Sequence, residues 1–201
     1  MPRLIDRSGG FWTEVILKKK PMELVIRQNL IPDRRAMEMI GKEAISSIKG
    51  GRKSRLNVVM KGGRLVYHRY GSGTYPFGIQ KRISPDGTPY EPLKDITLRH
   101  RKYKADLGEI PTARGESFIL RETSAKIFKG VIVKRVTTTS RGIAEVVVGF
   151  LNQKLALKHD QGGNARSPLF GKVKVAKIPA RPFIGLQKSF VDNFHKMFGS
   201  K

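Results

Sequence analysis

The sequence predicts an α+β fold: a small antiparallel sheet packed with helices, carrying an extended N-terminal arm, an inserted β-hairpin or loop, and a C-terminal helix. Three observations point there. A strongly periodic helical segment lies near the start, β-branched runs separated by turn residues follow it, and short helical stretches are interspersed among those runs. The expected organisation is an arm over residues 1–20, an α+β domain over 21–186 with a basic insertion at 52–82, and a terminal helix at 187–201.

Residues 1–10 are polar, include Gly9 and Gly10, and read as an arm; the apolar stretch from Phe11 to Leu17 is able to pair as a strand. Met22, Leu24 and Ile26 alternate around Glu23 as a short strand. Asp33, just after Pro32, is a good N-cap, and Ala36, Met37, Ile40, Ala44, Ile45 and Ile48 then recur at helical spacing. Glu38 and Lys42 offer an i, i+4 pair, and Gly50-Gly51 ends the helix. The runs 56–60 and 64–67 flank Lys61-Gly62-Gly63 as a hairpin, and 70–78 reads as an irregular loop with aromatic rings. Ser84-Pro85-Asp86-Gly87-Thr88-Pro89-Tyr90 is turn chemistry, because proline presets φ and Asp-Gly tolerates a tight reversal.

A short basic helix starts within 93–104, and 118–130 is a plausible helix ending at Gly130. The β-branched runs 131–136 and 143–149 form a hairpin pattern. Residues 152–159 fit a two-turn helix stopped by Gly162-Gly163, and Val173, Val175 and Ile178 mark another strand. Phe190, Val191, Phe194, Met197 and Phe198 make an apolar helical stripe in the tail.

Composition narrows the function classes. Hydrophobic residues are 39% of 201, which implies a modest core and much partner-facing surface. Forty lysines and arginines against 16 acids give a net charge of +24, a field that attracts nucleic acid or acidic proteins. Residues 44–85 hold nine basic side chains and no Asp or Glu, and 161–191 is a second acid-free stretch. Cysteine is absent, which excludes disulfides and thiolate metal sites. With no secretory h-region and no membrane-length apolar run, the expectation is a soluble protein made in the cytoplasm, without a membrane partner.

Catalysis finds little support. His68, His100, His159 and His195 are scattered without metal-ligand spacing, and Glu91 and Asp95 beside Lys94 read as surface groups rather than an acid/base couple. Neither a phosphate-binding loop, a dinucleotide fingerprint nor a Gly-x-Ser-x-Gly elbow is present. The expectation is no enzyme, no metal and no cofactor. The candidate contacts to DNA or an acidic partner are Arg52, Lys53, Arg55, Lys61, Arg64, Tyr67, Arg69 and Tyr70, with Tyr75 and Phe77 as further rings that could stack on bases; the simpler account is a packed hairpin with solvated charges. The string 179–186 fixes an extended path with two prolines, and Arg181, Pro182 and Phe183, with Phe190, Phe194 and Phe198, are candidates for a subunit interface as well as for core packing.

Three strings in order resemble the virion-morphogenesis or tail-completion family of Mu-like phages. Ser84-Pro85-Asp86-Gly87-Thr88-Pro89-Tyr90-Glu91-Pro92-Leu93 is similar to the family's SPDGTPWxPL segment, and Ile119-Leu120-Arg121-Glu122-Thr123 to its L-x-x-T-G-x-L helix start. Ile178-Pro179-Ala180-Arg181-Pro182-Phe183-Ile184-Gly185-Leu186 is similar to its most recognisable C-terminal string. Departures are the insertion at 52–82, Ser124 where glycine is common, and the extended start. The resemblance implies a structural virion protein: a ring subunit, hexameric or else dodecameric, of a neck or tail end. It also implies partners among neck, tail-tube, sheath or head-connector proteins, with genomic DNA in the lumen as a further possible contact. The competing class is a basic nucleic-acid-binding protein of ribosomal type.

Overall fold

The computed structural model describes residues 3–8, 11–29, 33–61, 64–109, 125–138, 142–169, 172–185, 187–190 and 192. Strands β1 (Arg3–Ser8), β2 (Phe11–Lys18) and β3 (Glu23–Gln28) form an antiparallel meander. Helix α1 (Arg34–Lys49) follows, and β6 (Val131–Thr138) and β7 (Ala144–Phe150) return much later to complete the sheet in the order β1-β2-β3-β7-β6. Two separate antiparallel pairs stand beside it: β4 (Arg52–Lys61) with β5 (Arg64–Thr74), and β8 (Gly163–Leu169) with β9 (Lys172–Ile178). Helices α2 (Asp95–Asp106), α3 (Ala125–Lys129) and α4 (Gln153–Gln161) complete the described elements. The α+β class with an antiparallel sheet is therefore the one the sequence predicts.

Alternation sorts the sheet into two faces. The register sets Val15 opposite Ile26, and Ile26 opposite Val146, so these side chains line one buried face with Leu17, Leu24, Val148 and Phe150. Helix α1 lies on that face with Met37, Ile40, Ala44 and Ile48 fully buried. Contact is close enough that a Cβ on Gly41 would come within 2.6 Å of Val133 Cγ2. Asp33 caps the helix by accepting the Arg35 N–H at 2.9 Å. At the other end Gly50 takes φ 69°, and the N–H groups of Ile79 and Gln80 reach the Ile48 and Lys49 carbonyls. The i, i+4 ion pair on this helix is Arg34 with Glu38 at 3.4 Å.

The opposite sheet face is closed by ion pairs lying over valines. Arg27 Nε and Arg135 Nη2 hold the two oxygens of Glu145 at 2.7 and 2.8 Å, and Lys134 Nζ sits 3.0 Å from Glu23. Val25 and Val147 are buried on this face, and the aliphatic stems of the long charged side chains are suited to shield them. Burial pushes Glu145 up, but its bonds to Arg27 and Arg135 outweigh that and hold the carboxyl below its ordinary value.

Several expectations change. The strand expected at 11–17 is β2, but it belongs to the main sheet and not to an arm, since pairing with β3 buries Val15 and Leu17, and residues 3–8 pair with it in turn as β1. Strand β5 runs on to Thr74, into the segment expected as a loop, and Tyr75 is fully buried rather than available to stack on bases. Strand β8 was not foreseen, since Gly163, Asn164 and Pro168 discourage a strand; a two-stranded sheet is all edge and accommodates them. Of the helix expected at 118–130, residues 118–124 lie outside the described residues, and α3 with Gly130 accounts for the end. Among the described residues, no helix is long and apolar enough to cross a membrane.

Candidate functional site

Two of the recognisable strings, about 90 residues apart, meet in space. Arg181 directs Nε and Nη2 to the Glu91 carbonyl at 3.3 and 3.1 Å, and its own N–H reaches the His159 carbonyl at 3.0 Å. Asp160 accepts the Phe183 N–H at 3.1 Å, and Gln187 Nε2 bonds the Ser47 carbonyl at 3.3 Å. Gly185 lies so near Pro85 that an added Cβ would be 2.5 Å from the proline Cβ, which explains glycine at this step. Within the turn, Ser84 Oγ donates to Asp86 and to the Thr88 carbonyl, and Asp86 accepts the Thr88 N–H at 3.0 Å. The Ser84 hydroxyl first, then Thr88, hold the Asp86 carboxyl below its usual range.

Through Arg181, Phe183, Gly185 and Gln187 this strap thus stitches the SPDG turn, α4 and the end of α1 together. Arg181, Phe183 and Phe190 lie inside the chain's own core at 5%, 0% and 2% exposure, with the Phe183 ring edge-on to Phe150 at 5.3 Å. Of the two readings, core packing is the one that fits, and the candidate interface at these three residues is corrected, because their apolar and hydrogen-bonding capacity is used within the chain. Pro182, between Arg181 and Phe183, is exposed. Phe194 and Phe198 lie outside the described residues.

The junction is electrically tense. Burial lowers His159 to about 4, with Arg181 and Lys158 adding to the effect. Burial raises Asp160, partly offset by the N–H groups of Phe183 and Ile184 and by Lys19. Tyr90 is pushed up by burial and Asp160, against the pull of Arg181. Because the His159 folded pKa lies below its unfolded value, its contribution is full above about 6.5 and is lost as pH falls towards about 4, by at most about 3 kcal/mol. Asp160 shifts in the opposite sense and offsets part of the loss. The expected result is that His159→Gln flattens the pH 4–6.5 dependence of the melting temperature, measured as wild type minus variant; parallel curves would show that His159 is not the responsible group.

The second feature is the root of the β4–β5 hairpin. Glu43, 1% exposed on the apolar side of α1, accepts the Ser54 N–H at 2.9 Å and the Tyr75 hydroxyl at 2.7 Å. Ser46 Oγ donates to the Arg52 carbonyl at 2.6 Å, and the Tyr75 N–H reaches the Gly51 carbonyl. Lys53 Nζ stands 5.4 Å over the Tyr75 ring, and Lys49 Nζ 4.8 Å over Phe128, where burial lowers its pKa. Arg52, Lys61, Lys81 and Arg82 are exposed. The register places Arg55 opposite Tyr70, Leu56 opposite Arg69, Val58 opposite Tyr67 and Lys61 opposite Arg64. The candidate contacts at 52–70 therefore share one ribbon, and Tyr75, expected beside them, belongs to its foundation.

Glu43 was missed by sequence reasoning. Its signal was present: a carboxylate three residues after Ile40, within the apolar stripe, immediately before the long acid-free stretch. Among the described residues, no group of three or more His, Cys, Asp or Glu is placed to hold a metal ion. Comparison with family models, with curated proteins and with solved structures finds no match to this chain.

Proposed function

We propose that this chain is a structural assembly subunit, a ring component of a phage tail end or neck, that works by clasping neighbours rather than by chemistry. The observation that carries this reading is the pair of hairpins β4–β5 and β8–β9, each of which, among the described residues, pairs with no third strand. A two-stranded ribbon buries little of its own surface and is marginal alone in water, so it gains most by lying against a partner. Both hairpins fall within or beside the acid-free stretches, which favours polyanionic or acidic neighbours. The convergence of the SPDG turn and the IPARPFIGL strap supports the family resemblance, since strings that resemble one family also form one structural unit. In a ring the contacts would be heterologous, closed by rotation.

The test is the molar mass of the purified chain by light scattering, alone and mixed with candidate tail proteins. A discrete ring, with a hexamer favoured, or co-assembly with those proteins, is the expected result. A chain that stays monomeric at all concentrations and in all mixtures would overturn the reading, whatever its affinity for nucleic acid; tight, steeply salt-dependent binding by such a monomer would favour the ribosomal-type alternative.

A further inference from the structure

We infer that the β4–β5 hairpin is a binding arm for the phosphate backbone of double-stranded nucleic acid. The inference does not rest on the ring reading, because it requires only the hairpin and its root.

The first support is segregation of charge. Glu14, Glu23 and Glu145 lie on the outer face of the main sheet beside Arg27, Lys134 and Arg135, so that face is internally neutralised. The hairpin supplies no carboxylate of its own, since no Asp or Glu occurs between residues 44 and 85. Among the described residues, no carboxylate lies within ion-pairing distance of Arg52, Lys61 or Lys81, all exposed. A cationic ribbon with no acidic residue of its own is attractive to a polyanion.

The second support is shape. The ten residues of β4 extend about 33 Å, close to the ~34 Å of one duplex turn, and a two-stranded ribbon is of a width the major groove admits. The register gathers Arg55, Asn57, Lys61, Arg64, His68 and Tyr70 into one row of positions, interrupted by the Val59–Val66 pair, while the alternate row is apolar but for Tyr67 and Arg69. Duplex DNA presents one charge per ~1.7 Å, so roughly 20 phosphates pass along that length. A backbone charged along its whole length can meet basic clusters at both ends of the ribbon, Arg52, Lys53 and Arg55 at the root and Lys61 and Arg64 at the tip, at once, which the scattered carboxylates of an acidic protein are less suited to do.

Anisotropy of a labelled duplex of about two helical turns with the full chain tests this. Affinity should fall about tenfold between about 100 and 200 mM salt if roughly four phosphates are contacted. The variant Arg52→Gln/Arg55→Gln/Lys61→Gln/Arg64→Gln should bind at least about tenfold more weakly and show a salt slope shallower by about 3–4. Lys61→Gln alone, at an exposed position remote from the core, should reduce the slope by about 1. The control Lys19→Gln/Lys102→Gln/Lys154→Gln/Lys188→Gln removes the same charge elsewhere and should change affinity less than about threefold. Equal losses in the two quadruple variants, no duplex binding by the wild type, or displacement of the duplex by an equal charge of poly-glutamate would each overturn the inference. The last outcome would reassign the arm to an acidic protein.

Discussion

Replacing Phe183 with alanine is expected to remove about 3–5 kcal/mol of folding stability, lowering the melting temperature by roughly 6–20 °C for a chain of this size. The side chain is fully buried, stands edge-on to Phe150, and has its N–H fixed to Asp160, so the surrounding atoms have little freedom to close the cavity. Phe183→Leu retains most of the apolar volume and should cost about 1–2 kcal/mol. Pro182→Ala, one residue away but exposed, should stay within about 0.5 kcal/mol. Thermal unfolding at low protein concentration separates two accounts of the string. A large loss at Phe183 that does not depend on concentration fits a residue of the chain's own core; stability unchanged while association weakens would return Phe183 to a subunit interface.

Glu43→Ala is expected to cost about 2–5 kcal/mol, because it leaves a buried backbone N–H at Ser54 and the Tyr75 hydroxyl without this acceptor. The damage should be directional. Glu43 joins α1 to the first turn of the hairpin, so hydrogen exchange at Ser54 and Tyr75 should accelerate before exchange in β3 or β7 changes. Glu43→Gln keeps an acceptor oxygen and should lose less, and Tyr75→Phe removes a single donor and should cost about 1 kcal/mol. A Glu43→Ala protein with unchanged melting and exchange would mean that the hairpin is anchored chiefly by its strand and loop contacts. If the hairpin is the nucleic-acid arm, the same variant should also weaken duplex binding by loosening the arm's orientation while leaving its charge intact.

Much of the fold was legible because it rests on local rules. Helix α1 could be read from Asp33 to Gly50 since cap, apolar spacing and terminating glycine all agree. The hairpins β4–β5 and β6–β7 follow from turn residues between β-branched runs, and the reversal at 84–90 from its proline, aspartate and glycine. The basic ribbon was equally visible, because charge is a property of composition.

What escaped sequence reasoning depends on neighbours far along the chain. Whether residues 3–18 stand apart as an arm or join the main sheet is decided by β3, which offers Ile26 and Leu24 to Val15 and Leu17 of the strand expected at 11–17, and by the pairing of 3–8 with that strand. Whether Phe183 faces a partner or its own core is decided by Phe150 and Asp160, and whether Tyr75 is a stacking ring or an anchor by Glu43. The sequence by itself determined the helix, the turns, the α+β class and the placement of positive charge, since each arises from residues within a few positions of one another or from a simple sum. The tertiary structure alone decided which apolar and charged side chains became interior: burial depends on what the rest of the chain places opposite them, and a carboxylate or ring of the same local pattern is solvated in one setting and fully enclosed in another.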